Sequence, residues 1–204
     1  MSPIVYLASV SPRRHQLLNQ IRVPHAVRPV DVDESRWPGE SPGDYVGRLA
    51  QAKAAALWRQ LQPDERLPVL GADTTVALGN RIFGKPRDRA DEIAMLAELA
   101  EKTHQVFTAV ALQSWRGCEL RLSVSEVTFG TLSPGDCEAY WRSGEPADKA
   151  GGYAVQGLAA TFITRIAGSY SGIMGLPLAE TAQLLRTIGW SCIRIEKDQT
   201  ENDR

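Results

Sequence analysis

Residues 6–18 read YLASVSPRRHQLL. A short apolar run, Ile4 to Ala8, ends in Ser9. Ser11-Pro12-Arg13-Arg14 follows, and then apolar residues recur at helical spacing at Leu17, Leu18 and Ile21. This reads as a buried strand handing over to a helix that begins at Pro12, where proline's missing N–H removes one unpaired donor. Free N–H groups and partial positive charge at such a helix start attract anions. Ser9 and Ser11 add hydroxyls, and Arg13 and Arg14 add guanidinium forks that suit phosphate oxygens. Adjacent residues diverge by about 100° around a helix, so the two arginines cannot share one face. A serine cap followed by two solvated arginines is the plainer reading, and this stretch by itself leaves both open.

Outward from this junction the chain alternates strand and helix signals. His25 to Val30 reads as a strand. Ser41-Pro42-Gly43-Asp44 opens a helix that runs to about Leu61, with serine as cap and an acid where a capping box needs one. Val69 to Leu78 is a strand, Gly79-Asn80 a tight turn and Arg81 to Phe83 its return. Asp88 caps a helix through Leu99. Two long strands, Gln105 to Gln113 and Leu120 to Phe129, turn near Gly117. The SPGD cap recurs at Ser133 for a helix to about Arg142. A strand (Thr161 to Ile166), a helix (Leu178 to Ile188) and a last strand (Trp190 to Ile195) complete the pattern, with a polar tail at 196–204. The fold class is therefore mixed α/β with long hairpins, rather than a repeated βαβ unit.

A chain of 204 residues with 43% hydrophobic content supports a real core in one domain or two small lobes. A net charge of −1 argues against general affinity for nucleic acid or anionic membrane. No apolar run has membrane-span length, and the N-terminus lacks the charged and apolar regions of a signal peptide. Cys118, Cys137 and Cys192 form no CxxC and do not pair with His15, His25 or His104 at zinc spacings, which suits reduced structural cysteines in a cytoplasmic protein. No GxxxxGK[ST] or GxGxxG occurs, and the glycine pair at 168 and 172 encloses Tyr170 where a nucleophile elbow needs serine. A phosphate site built without these devices needs other charge. Lys53 lies on the helix that Ser41 opens, and Lys85 precedes a proline that would aim it. Asp73 lies in an apolar strand, where acids are poor strand formers and costly to bury; such an acid caps, turns or does chemistry. Glu34 sits in an acidic loop. If both acids face the arginines, a divalent cation between them and the phosphates would account for them.

These residues also carry a resemblance. LASVSPRR at 7–14, VDE at 32–34, RLAQAKA at 48–54, GADTTV at 71–76, GKPRD at 84–88, DKAGGYAVQG at 148–157 and GLPL at 175–178 occur in order. Together they resemble the Maf family of nucleoside triphosphate pyrophosphatases, with Val10 a mild departure between the two serines. The resemblance implies a fold like the inosine-triphosphatase group, an elongated mixed sheet with flanking helices and two lobes around a central cleft, over residues 1–195. It implies hydrolysis of a nucleoside triphosphate to monophosphate and pyrophosphate with Mg²⁺ or Mn²⁺, a homodimer, and a part in excluding non-standard nucleotides or arresting cell division.

Arg13, Thr74 and Gln156 match the positions that mark substrate choice in the dTTP/UTP branch; the sister branch acting on 7-methyl-GTP carries Trp, Gln and Glu there. By the same resemblance Asp73 is the proton acceptor. Ser9, Ser11, Arg14, Lys53 and Lys85 are expected to bind phosphate, and Glu34 with Asp73 to hold metal. The rival readings are the 7-methyl-GTP enzyme and a non-enzymatic, nucleotide-binding regulator of division.

Overall fold

The computed structural model describes residues 2–193. Its strands are β1 (Val5–Leu7), β2 (His25–Val27), β3 (Val69–Leu78), β4 (Arg81–Phe83), β5 (Thr103–Ser114), β6 (Gly117–Phe129) and β7 (Ile163–Ala167). Its α-helices are α1 (Pro12–Gln20), α2 (Pro42–Gln60), α3 (Arg89–Leu99), α4 (Pro134–Arg142), α5 (Tyr170–Met174) and α6 (Leu178–Thr187). The strands form one mixed sheet in the order β2-β1-β3-β5-β6-β7, with β4 also on β3. The β2, β1 and β3 pairings are parallel, and the remainder are antiparallel.

The pairing of β3 positions the site. One edge is bonded to β5 throughout, from Val69 to Ala77. The other edge meets β1 at Val69 and Leu70 and β4 at Val76 to Leu78. Between these partners, residues 71–75 have no strand beside them, because β1 ends at Leu7 and the chain turns into α1. That interval spells Gly-Ala-Asp-Thr-Thr.

Alternation along β3 divides its side chains between layers. Leu70 and Ala72 pack with Leu17 and Leu18 of α1 and Leu184 and Leu185 of α6 on one face. Val69 packs under Val46, Ala50, Ala54 and Leu57 of α2 on the other. A third cluster surrounds Phe83, Leu96, Leu99, Phe129 and Tyr140 beyond β4. Both SPGD segments cap as expected: Ser41 accepts from the Asp44 N–H, and Ser133 with Asp136 completes a reciprocal capping box.

Several expectations need correction. The strand expected over 25–30 stops at Val27, because Pro29 cannot donate to a ladder. The strand expected from Thr161 begins at Ile163, after a 3-10 turn at Leu158–Thr161. The five-residue α5 has no signal in the sequence, since Gly172 interrupts any helical pattern; Ser169 caps it by accepting from the Gly172 N–H. Residues 190–193 are irregular rather than strand, while the end of that expected strand and the tail at 196–204 lie outside the described residues.

One buried acid belongs to the third cluster. Glu92, in the first turn of α3, is fully buried, and neither carboxylate oxygen finds a hydrogen-bond partner among the described residues. It packs on Gly152, where a Cβ would lie 1.8 Å from Oε2, and Gly152 and its neighbour Gly151 both have positive φ. Burial, with a lesser contribution from Asp91, pushes Glu92 up to about 8. Between the ordinary value of 4.5 and 8 the unfolded chain ionises while the folded protein stays protonated, so stability falls as pH rises through that window. Glu92→Gln removes this titration. We expect its unfolding free energy in urea to be close to wild type at pH 4.5 and to exceed it at pH 8 by on the order of a few kcal/mol.

Candidate active site

Asp73 sits in the unpaired interval of β3 and is 8% exposed. What brings charge to it is the small residue two positions earlier. A Cβ at Gly71 would lie 2.2 Å from the Ala50 carbonyl and 2.7 Å from the Ala54 nitrogen, so only glycine lets α2 approach this closely. The approach lays Lys53 over the strand. Its Nζ lies 2.7 Å from Asp73 Oδ1 and 2.6 Å from Glu34 Oε1, so one ammonium joins both acids. Glu34 is held from its backbone: the Tyr45 hydroxyl donates to its carbonyl at 2.9 Å, and Arg48 donates to the next carbonyl, Ser35, at 3.0 Å.

Thr74 points to the opposite face from Asp73 and meets Arg14. The Arg14 guanidinium donates from Nη2 to Thr74 Oγ1 at 3.3 Å, from Nη1 to Ser9 Oγ at 3.1 Å, and from Nε to the Gly175 carbonyl at 2.8 Å. Gly175 follows α5 with φ of 116°, a left-handed turn that aims this carbonyl back at α1. Ser11 occupies the cap position of α1, but its side chain caps nothing; its N–H donates instead to Ser9 Oγ. Arg13 diverges from Arg14 and lies 3.7 Å from Asp148, which in turn pairs with Lys149 at 2.6 Å.

A cleft of about 430 Å³ gathers these groups, with Ser9, Ser11, Arg13, Arg14, Glu34, Asp73, Thr74, Lys85 and Gln156 on its walls. Lys53 is present through its contacts with Asp73 and Glu34. Every residue singled out from the sequence therefore lies at one place. Of the residues expected to bind phosphate, Lys53 here bridges the two carboxylates, and Arg14 is bonded to Ser9, Thr74 and Gly175. Tyr45, Asp148, Lys149 and Met174 also line the cleft and were not assigned roles. Asp148 and Lys149 lie inside the quoted DKAGGYAVQG stretch, which was the available signal; nothing local marks Tyr45 or Met174. The turn carrying Lys85 is tied to the glycine segment by the Gly151 N–H, which donates to the Gly84 carbonyl at 2.9 Å.

The electrostatics are opposed by design of position. Burial raises Asp73 above the usual carboxylate range, while Lys53 and Arg14 pull it down without cancelling the effect. For Glu34, partial burial works upward, but the hydrogen bond and charge of Lys53, with Lys85 and Arg14, outweigh it and hold the group low. Arg14 is lowered by burial, with Asp73 opposing, yet an arginine remains charged. The cleft thus offers a shielded carboxylate of raised basicity beside a rim of arginine and lysine. Among the described residues no three His, Cys, Asp or Glu side chains gather as a metal cage. The point on which the Asp73 and Glu34 carboxylates converge is filled by the Lys53 ammonium, and their remaining oxygens are donors of the kind a hard divalent cation takes.

Residues 4–188 match the Maf-like protein family, and the chain belongs to it. It is similar to proteins named dTTP/UTP pyrophosphatase. The relative from Saccharophagus degradans is 53% identical over 89% of this chain and 87% of its own. The relative from Xanthomonas campestris is 54% identical over 91% and 99%, and that from Nitrosomonas europaea 50% over 92% and 95%. Among the described residues no helix is long and apolar enough to cross a membrane.

Lys53→Met should leave Asp73 buried beside Glu34 with no ammonium between them. Removing one partner of a buried pair leaves an uncompensated charge, so we expect a loss of about 3 kcal/mol in urea unfolding at pH 7 with EDTA present. The loss should shrink as pH falls through and below the ordinary carboxylate values of 3.8 and 4.5, where the acids protonate and no longer need the ammonium.

Proposed function

We propose that the protein is a nucleoside triphosphate pyrophosphatase that converts dTTP and UTP to the monophosphate and pyrophosphate. About half identity over nine-tenths of the chain to relatives bearing that name carries this reading. The geometry supports it, because a polyanion of triphosphate size meets cations on several sides of one shielded carboxylate.

In this reading the triphosphate lies along the rim, with Arg13, Lys85 and Lys149 within reach of its oxygens and Ser9, Ser11 and Arg14 at the start of α1. A water attacks the α-phosphorus. The new P–O bond forms as the bond from that phosphorus to the α–β bridging oxygen breaks, and pyrophosphate departs. Asp73 accepts the water's proton, a task that its raised basicity suits. The cationic rim stabilises the negative charge that grows on the leaving group. Lys53 keeps Asp73 and Glu34 in place. Asp73 and Glu34 would hold Mg²⁺ or Mn²⁺, which when bound acidifies water and neutralises phosphate oxygens. Gln156 is exposed on the cleft wall. Its amide carries one acceptor and two donors and can pair with the N3–H and O4 of uracil or thymine. Guanine presents two adjacent donors there, which an amide only half satisfies. Three free cysteines suit a cytoplasmic location.

The direct test is a panel of purified triphosphates with Mg²⁺ or Mn²⁺, with monophosphate and pyrophosphate quantified. We expect dTTP and UTP to lead, and excess EDTA to abolish turnover until metal is restored; a purine triphosphate leading would sink the substrate assignment. Asp73→Asn keeps the shape and removes the base. Its turnover should fall at least about a hundredfold with nucleotide binding largely retained, as equilibrium titration would show.

A further inference from the structure

Gln156 stands on a segment whose shape is set from behind the cleft. Two side chains outside the cleft wall hold that segment on both sides of it. The hydroxyl of Tyr140, buried in α4, accepts from the Ala154 N–H at 3.2 Å and donates to Glu145 Oε1 at 2.8 Å. The same carboxylate accepts from the Leu158 N–H at 2.9 Å and the Ala159 N–H at 3.3 Å. Residues 154, 158 and 159 are thus joined through one phenol and one carboxylate, and Gln156 lies between the joined points.

The sequence of the segment agrees with this arrangement. A Cβ at Gly157 would lie 2.2 Å from Glu145 Oε2, so a residue with a side chain there would displace the carboxylate. The Gly157 N–H closes a turn onto the Ala154 carbonyl at 3.0 Å, which leaves Gln156 facing outward while Ala154, Val155 and Ala159 are buried. The phenol end is rigid in its turn. Tyr140 is 3% exposed and packs edge-on to Phe162, and α4 starts from the full capping box at Ser133. The carboxylate end reaches the cleft as well, since Lys149 Nζ donates to the Glu145 carbonyl and to Asp148.

We infer that Tyr140 and Glu145 are positioning residues for base selection: they fix the backbone on either side of Gln156 so that its amide meets the pyrimidine edge in one orientation. The inference rests on the proposed reading of Gln156 as the group that contacts the base. Neither residue lines the cleft, so the effect is expected on discrimination rather than on the hydrolytic step. A free amide could also flip to accept cytosine, and a held backbone limits the poses from which it can do so.

The test compares kcat/KM for UTP with that for CTP and GTP in four proteins: wild type, Tyr140→Phe, Gln156→Ala and the double variant. Tyr140→Phe removes only the hydroxyl and leaves the Ala154 N–H and Glu145 Oε1 without it. We expect the UTP/CTP and UTP/GTP ratios to fall roughly fivefold or more, through KM for UTP, with kcat on GTP unchanged. Gln156→Ala should lower the same ratios, and adding Tyr140→Phe to it should lower them no further. If Gln156→Ala leaves the ratios intact, the base is read elsewhere and both ideas fall. If Gln156→Ala lowers them and Tyr140→Phe does not, or if the two losses add in the double variant, the positioning role alone is overturned. Glu145→Gln serves as a second variant should Tyr140→Phe fold poorly. It keeps the shape and one acceptor but puts an NH₂ where an N–H must be received, so the ratios should again fall; unchanged ratios would overturn the role.

Discussion

The open interval on β3 is the constraint on which the rest depends. A strand interior normally satisfies its backbone on both edges, and here β5 supplies one edge over nearly the whole length. On the other edge β1 stops after Leu70's partner and β4 begins at Val76, so residues 71–75 border a space instead of a strand. Into that space the chain delivers the start of α1 from one side and the segment around Gln156 from another. The same interruption opens Asp73, Thr74 and Thr75 onto the cleft, while Ala72 remains in the packed layer.

The charges around this interval make sense only together. An acid as enclosed as Asp73 would be strongly penalised alone. It is tolerated because α2, admitted by Gly71, brings Lys53 within 2.7 Å, and because Arg14 crosses beneath the strand to Thr74. Lys53 also binds Glu34, so one cation serves two anions and both acids converge. Arg14 is committed to Ser9, Thr74 and Gly175, which ties α1, β3 and the end of α5 into one unit. Arg13, turned away by helical geometry, remains at the rim beside Asp148.

Behind the cleft, two acids perform work of a different kind. Glu92 is buried under Gly152 with no hydrogen-bond partner among the described residues, and Glu145 receives the N–H groups of Leu158 and Ala159. Each presses on a glycine that could carry no side chain there. The segment from Lys149 to Ala159 is thereby shaped by contacts on the face away from solvent. Its exposed members, Gln156 above all, take their direction from those contacts. On the proposed reading of Gln156, base selection would rest on this backing as well as on the amide itself.

Local signals were enough for most elements and for singling out residues that the fold gathers at the cleft. Proline at the first helical position, serine caps and the Gly79-Asn80 turn act within a few residues, so Pro12, Ser41, Ser133 and the β3–β4 hairpin are legible without the fold. Short motifs that resemble those of the family pointed to Arg13, Thr74, Asp73 and Gln156, because each motif is a contiguous stretch readable without the fold. Partnerships between distant residues were not legible. The role of Lys53 as a bridge depends on how closely α2 lies on β3. Ser11 is a cap by position, yet its hydroxyl caps nothing and its N–H is taken by Ser9, which also receives Arg14. The clamp of Tyr140 and Glu145 on Gln156 depends on α4 meeting a glycine turn many residues later. Composition and spacing determine which groups exist and which local shapes they prefer; only tertiary packing decides which charge faces which, because electrostatic and hydrogen-bond energies depend on distances of a few ångströms that sequence separation does not encode.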